Sequence, residues 1–266
     1  MSASGAGPLR VERRGAVAEV VLARPDQGNA LDRALKSALV ETLADVGADD
    51  SVRAVLVAAD GASFCVGQDL RDLVRSLEED PASAADTVEQ HFNPITAALA
   101  TMPKPVVAAV HGACVGAGLG FALACDLQVW GSGVTLGTAF TRVGLTCDSG
   151  LSRSLAEAVG AMRARRLVLT AETFTVEQAI DWGFAGDVVA PDEVLATARD
   201  LVDRLATGPT HAYAESKRLL AVAGTMPLAE VLAAEASAQR RCGATADHLE
   251  SVRAFLERRP PVLTGT

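Results

Sequence analysis

A chain of 266 residues, 49% hydrophobic and 21% charged, is too apolar to be disordered and long enough to bury a large core, as one domain or as a domain with an appendage. Its formal net charge of −9 argues against nucleic acid or an anionic membrane as a partner, so any anionic ligand has to meet local arginines. Five cysteines without a C-x-x-C read as reduced core residues, and four scattered histidines lack ligand spacing, so no metal is expected.

Residues 1–8 are Ser/Ala/Gly-rich, with neither a basic start nor an apolar stretch, and are expected to be a flexible tail and not a signal peptide. The cytoplasm is then the default compartment. Leu9 to Arg14 and Val17 to Leu22, around Gly15, predict a hairpin. The polar turn Arg24 to Asp32 feeds a helix from about Arg33 to Val46, with Asp32 as its N-cap. Arg53 to Ala59 is a buried strand that ends at Asp60-Gly61, and Phe64 to Arg71 is a glycine-bearing loop entering a second helix. A long helix is predicted from about Ala84 to Ala100, stopped by Pro103-Lys104-Pro105.

Pro105 to Val110 is again a buried strand, and His111 to Asp126 follows it with four glycines in nine residues. From Val106 to Cys125 only His111 is clearly polar, yet Pro105, the central glycines and Asp126 exclude a spanning helix. Gly116-x-Gly118-x-Gly120 also misses the dinucleotide fingerprint, because Phe121 stands where the last glycine belongs. What remains is strand, tight loop, then a short buried helix whose first N–H groups lack intrahelical partners and suit an anion or an oxyanion.

Leu127 to Trp130 is a further strand, so strand, loop and helix recur at about 45 to 50 residues, more like turns of a spiral than a doubly wound sheet. From Ser149 the chain reads as helices over 151–159, 163–169, 176–182, 194–206, 212–222, 229–239 and 246–257. The expected organisation is an α/β core over residues 9–195 and a helical module over 196–266. The helices over 212–222 and 229–239 hold more apolar residues than a small module can hide, which predicts self-association. Arg258-Arg259-Pro260-Pro261 reads as a solvated end.

Taken together, Arg24-Pro25 with Asn29-Ala30-Leu31, Phe64-Cys65-x-Gly67-x-Asp69-Leu70, Gly112 to Asp126 and Phe255-Leu256-Glu257-Arg258-Arg259-x-Pro261 resemble the enoyl-CoA hydratase/isomerase (crotonase) family, in family order and over nearly the whole chain. The resemblance implies a spiral of ββα turns with a C-terminal helical trimerisation module, a homo-trimer or hexamer, and an acyl-CoA thioester as substrate. CoA would then be part of the substrate, with no tightly bound cofactor. It also implies an oxyanion hole formed by the backbone N–H groups of Gln68 and Ala117. CoA contacts are carried over to Arg24, Arg71, Val66, Asp69, Leu70 and a C-terminal arginine, Arg258 or Arg259. Two preorganised N–H donors stabilise a thioester enolate selectively, and losing one typically costs about 3 kcal/mol.

Where hydratases of the family carry two glutamates, this chain has Gly120 and Phe140, and neither can move a proton. Leu145-Thr146-Cys147-Asp148-Ser149-Gly150 resembles instead the L-x-P-D-x-G segment of members that isomerise double bonds with an aspartate, which makes Asp148 the candidate base. Burial among Phe140, Leu145 and Leu119 would raise its pKa. Asp148 also reads as a helix N-cap, and His91 and His111 are further residues that could approach the site. Three functions stay open: an enoyl-CoA isomerase, an enzyme in which the aspartate attacks the acyl-CoA or activates water for hydrolysis or substitution, and a non-catalytic acyl-CoA-binding protein. Hydratase chemistry is the reading that Gly120 and Phe140 disfavour.

Overall fold

The computed structural model describes residues 7–266. Of the tail expected over 1–8, only Gly7 and Pro8 fall inside it, and the Pro8 carbonyl already accepts from the Ala23 N–H at 2.9 Å. Strands β1 (Leu9–Arg14) and β2 (Val17–Leu22) form the expected antiparallel hairpin. Helix α1 (Arg33–Ala48) starts where the Asp32 carboxylate accepts from the Leu35 N–H at 2.9 Å. Then come β3 (Ala54–Ala59), α2 (Leu70–Glu79), α3 (Asn93–Thr101), β4 (Val106–Val110), β5 (Ala113–Val115), α4 (Ala117–Ala124), β6 (Leu127–Gly131) and β7 (Thr135–Gly137).

The larger sheet has the order β1-β2-β3-β4-β6-β9, with β9 at Asp187–Val189, and every pairing after the hairpin is parallel. Both faces are covered, which is why β3 and β4 read as continuous apolar runs and β2 as one interrupted only by Glu19. Ala18, Val20, Val55, Val57, Val106 and Ala108 pack on one side against α1, α3 and α4. A smaller sheet has the order β5-β7-β8, with β8 at Phe174–Thr175. Cys65 pairs with Cys114 of β5, and Gln68 pairs with Leu31. The expected strand, loop and helix recur, but the strands open at Val17, Ala54, Val106 and Leu127, so the turns are unequal and depart from an even period.

Helices α5 (Leu151–Val159), α6 (Ala161–Thr170) and α7 (Val176–Asp181) follow the spiral. Helix α8 (Val194–Ala206) covers the sheet's second face, with Val194, Ala198, Val202 and Ala206 against Val17, Leu56, Val107 and Val129. An organisation divided at 195/196 cuts into this helix; the helices that leave the sheet begin with α9 (Thr210–Ala223), then α10 (Leu228–Gly243) and α11 (Ala246–Glu257). On the same face Glu19, buried in β2, receives two hydrogen bonds from Arg199 of α8, at 2.7 and 3.0 Å.

One segment differs from expectation. The single helix predicted from Ala84 to Ala100 is broken into a 3-10 turn (Ala84–Asp86), a π turn (Val88–Phe92) and α3. Pro94 sits in the first turn of α3, where a missing N–H costs nothing, and the π turn widens the helix just before it. Arg258 to Pro261 are exposed, as expected of a solvated end, while the residues after them are tied down: Thr264 and Gly265 donate to the Asp247 carboxylate, and Arg53 donates to the Leu263 carbonyl.

Candidate active site

The two glycine-bearing loops meet because their strands pair. Phe64 N–H donates to the His111 carbonyl and Val115 N–H to the Cys65 carbonyl, at 2.9 Å each. Gly67 has φ +87°, and a side chain there would lie 3.0 Å from the Val115 carbonyl and 3.6 Å from the Ala117 nitrogen, so only glycine lets the loops close to this distance. Leu31 N–H donates to the Gly67 carbonyl and Asp69 N–H to the Leu31 carbonyl, and the alternation turns the Gln68 N–H the other way. Ala117 opens α4. Among the described residues neither the Gln68 nor the Ala117 N–H donates to a protein acceptor. Two free main-chain donors in loops this close are what an oxyanion needs, and the second has a helix dipole behind it.

One turn into α4, Gly120 packs against the turn that carries Asp148. A Cβ at position 120 would lie 2.6 Å from the Ser149 Cβ and 2.7 Å from its carbonyl oxygen, so backbone occupies the space a glutamate would need. Phe140 is buried on the other flank, and its ring tip is 4.0 Å from where a Gly116 side chain would start. Asp148 directly precedes Ser149 in this turn. Its Oδ1 accepts from the Ser149 hydroxyl at 2.8 Å. The N-cap alternative does not hold: the cap position of α5 is Gly150, no side chain caps it, and Leu151 N–H reaches only the Asp148 backbone carbonyl. Burial pushes the Asp148 pKa above its ordinary value, while the Ser149 hydroxyl and the Lys36 charge pull it back. Leu145, expected to help bury it, is 50% exposed.

The residues assigned to CoA divide. Arg24 is no free surface cation: its guanidinium donates to the Ala30 carbonyl and lies 3.1 Å from both Asp32 and Asp69, so it braces the first loop. Asp69 is committed as the N-cap of α2, accepting from the Arg71 and Asp72 N–H groups. Val66, Leu70 and Arg71 are exposed along the same edge. Arg258 ends α11 in a left-handed conformation, and among the described residues no hydrogen bond or ion pair joins it to either loop. Arg259 is paired with Glu250 and Glu257. His111 Nε2 lies 2.9 Å from the Gly61 carbonyl, a contact that needs an N–H there and fixes the ring as a loop brace.

Lys36 is absent from the sequence reading, and Ser149 enters it without a role of its own. Lys36 lies on the buried stripe of α1 with Leu35, Leu39 and Leu43, and a charge on an apolar stripe was the available signal. Its Nζ donates to Thr87 Oγ1 at 2.8 Å and to Gln68 Oε1 at 3.1 Å, and lies 3.5 Å from the Asp72 carboxylate. Burial lowers its pKa, against the pull of Asp72. His91 is close by, 3.2 Å from Thr87 Oγ1, and burial together with the Lys36 charge lowers its pKa as well. These groups line a polar chamber of 180 Å³ between α1, α2 and the π turn. A larger apolar groove of 820 Å³ runs under α9 and meets the site only at Gly120 and Ser149. Among the described residues no cluster of His, Cys, Asp and Glu could hold a metal, and no helix is long and apolar enough to cross a membrane. The five cysteines form no disulfide, and Cys147, which stands where a proline was expected from the resemblance, is half-buried beside Asp148.

The enoyl-CoA hydratase/isomerase family matches the chain over residues 12–266. The chain is similar to 1,2-epoxyphenylacetyl-CoA isomerase of Escherichia coli (strain K12), 36% identical over 94% of this chain and 95% of that one. It is also 35% identical to a probable enoyl-CoA hydratase of Rhodobacter capsulatus, over 97% of this chain and 98% of the relative. A crystal structure of a putative enoyl-CoA hydratase/isomerase from Mycobacterium abscessus superimposes with a TM-score of 0.93 at 45% identity, over 97% of this chain and 100% of that one.

Proposed function

The chain belongs to the enoyl-CoA hydratase/isomerase family and has its crotonase-like fold, and from that premise we propose that it is an enzyme that moves a double bond in an enoyl-CoA through a thioester enolate. The observation that carries the reading is the packing of Gly120 on Ser149, which sets the turn bearing Asp148 against α4 and fills the place of a hydratase glutamate with backbone. Asp148 removes a proton from the carbon between the thioester and the double bond. The charge moves to the thioester oxygen, where the Gln68 and Ala117 N–H groups stabilise it. Asp148 then returns the proton at the far end of the dienolate, so one carboxylate does both transfers and water takes no part.

The test is to incubate the pure protein with a 3-enoyl-CoA and a 2-enoyl-CoA. Growth of the conjugated enoyl-thioester absorbance from the first, with no mass change, is the expected result. A gain of water by the 2-enoyl-CoA would make it a hydratase and overturn the reading. The base must be ionised to start the cycle, so turnover should rise with pH on an acid limb. Because burial raises the Asp148 pKa, that limb in kcat/KM should lie above the ordinary aspartate value of 3.8. A pH–rate profile checks this, and a midpoint at or below the ordinary value would count against Asp148 as base.

We also propose that the protein works as a homo-trimer or hexamer assembled through α9 to α11. Among the described residues α9 buries none of its own, while Leu220, Leu228, Phe255 and Leu256 are largely exposed. Apolar surface of this kind favours a partner copy. Sedimentation at micromolar concentration should give a trimer or larger, and a stable monomer would remove the proposal. Arg71 and Arg258, both exposed, are the cations we assign to the CoA phosphates, with Arg24 holding the loop edge beside them.

A further inference from the structure

The polar chamber says what kind of acyl group the site takes. Gln68 belongs to both places: its N–H is a candidate oxyanion donor, while its side chain accepts from Lys36 in the chamber wall. A thioester oxygen held by that N–H therefore puts the chamber within reach of the acyl chain. Its 180 Å³ is a little more than the ~150 Å³ cavity that holds benzene, so it takes about six heavy atoms.

The lining decides the chemistry. Lys36 is 2% exposed and already engaged with Gln68, Thr87 and Asp72, so it is a fixed part of the wall. An alkyl chain seated there would strip water from the buried Lys36 and Asp72 in the wall and return no hydrogen bond, which is costly for buried polar groups. The charges along the wall are Arg33 and Lys36 against Asp72, Glu79, Asp80 and Asp86, so a carboxylate would meet more anions than cations. A neutral oxygen, able to donate and accept, fits between them. Resting on the acyl-CoA reading above, we propose that this chamber receives the distal part of the acyl group and selects chains carrying a hydroxyl or keto oxygen over plain alkyl chains.

The experiment compares 3-hexenoyl-CoA, its 6-hydroxy derivative and the mono-CoA thioester of 3-hexenedioic acid. With the wild-type enzyme the hydroxylated thioester should exceed the alkyl one in kcat/KM by about tenfold or more, because a site built around hydrogen bonds rejects the analogue that lacks them, and the diacid should be poorest. Thr87→Val, which keeps the Lys36–Asp72 pair, and Lys36→Met should both compress the hydroxyl-to-alkyl ratio toward one. An alkyl preference in the wild type would put the chain on the apolar side, beside Gly120 and Ser149, and overturn the proposal. So would a ratio unchanged in both folded variants. If none of the three is turned over, the isomerase reading fails by itself, and calorimetric affinities for the same thioesters decide the chamber: tighter binding of the hydroxylated one upholds it, equal binding refutes it.

Discussion

Asp148→Asn should lower turnover of a 3-enoyl-CoA by about a hundredfold or more while leaving the protein folded and able to bind CoA thioesters. Asparagine keeps the size and can still accept from the Ser149 hydroxyl, now 2.8 Å from Oδ1, but it cannot take a proton. Turnover at unchanged stability separates catalysis from structure. A carboxyl whose folded pKa is raised binds protons more readily in the folded than in the unfolded chain, so its ionised form destabilises the fold once the pH exceeds the unfolded value. Removing that charge at neutral pH should leave Tm unchanged or slightly higher. A helix-capping aspartate would keep its turnover per folded molecule in this variant, because asparagine caps about as well, and would lose about 1 kcal/mol only in Asp148→Ala, yet no side chain caps α5. Thermal melts and single-substrate kinetics on the one variant read both quantities. Full activity would remove Asp148 as the base and direct attention to His91, which sits in the chamber wall.

Gly120→Ala should damage stability and turnover together. The added Cβ would fall 2.6 Å from the Ser149 Cβ and 2.7 Å from the Ser149 carbonyl oxygen, closer than packed atoms tolerate, and neither neighbour is the free end of a long side chain. Both sides of the contact belong to the site, since α4 carries Ala117 one turn earlier and the Ser149 turn carries Asp148. Overpacking of this kind costs about 2 kcal/mol, which lowers Tm by roughly 4–8 °C in a chain of this size. Misplacing donor and base by a fraction of an ångström should cost a further tenfold or so in turnover. Gly120→Glu should do worse on both counts and should not create a hydratase. Wild-type Tm and turnover in Gly120→Ala would mean that the 148–150 turn yields freely, and the argument from Gly120 against hydration would lose its force.

Local sequence was enough for the features whose physics is local. Apolar runs in β2, β3 and β4 marked strands covered on both faces, Asp32 marked a helix start, and glycines at 67, 112 and 116 marked loops that turn where side chains cannot. The order of those loops along the chain pointed to the family before any coordinates did. The break in the helix over 84–100 was also signalled locally, by Pro94, although a π turn before it is a matter of how the segment packs.

What the tertiary structure decided depends on contacts between residues far apart in the chain. Sequence could show that position 120 is a glycine, and only packing shows that the Ser149 backbone fills the space beside it. Sequence offered Arg24 as a cation for CoA, and only the fold shows Asp32 and Asp69 placed against it. The same holds for Lys36: a lone lysine on a buried helix stripe acquires meaning from Gln68, Asp72 and Thr87, which arrive from three other segments. Burial and pairing energies are properties of such assembled neighbourhoods, whereas periodicity and turn chemistry are written in adjacent residues, and that separates what the chain declares from what its fold adds.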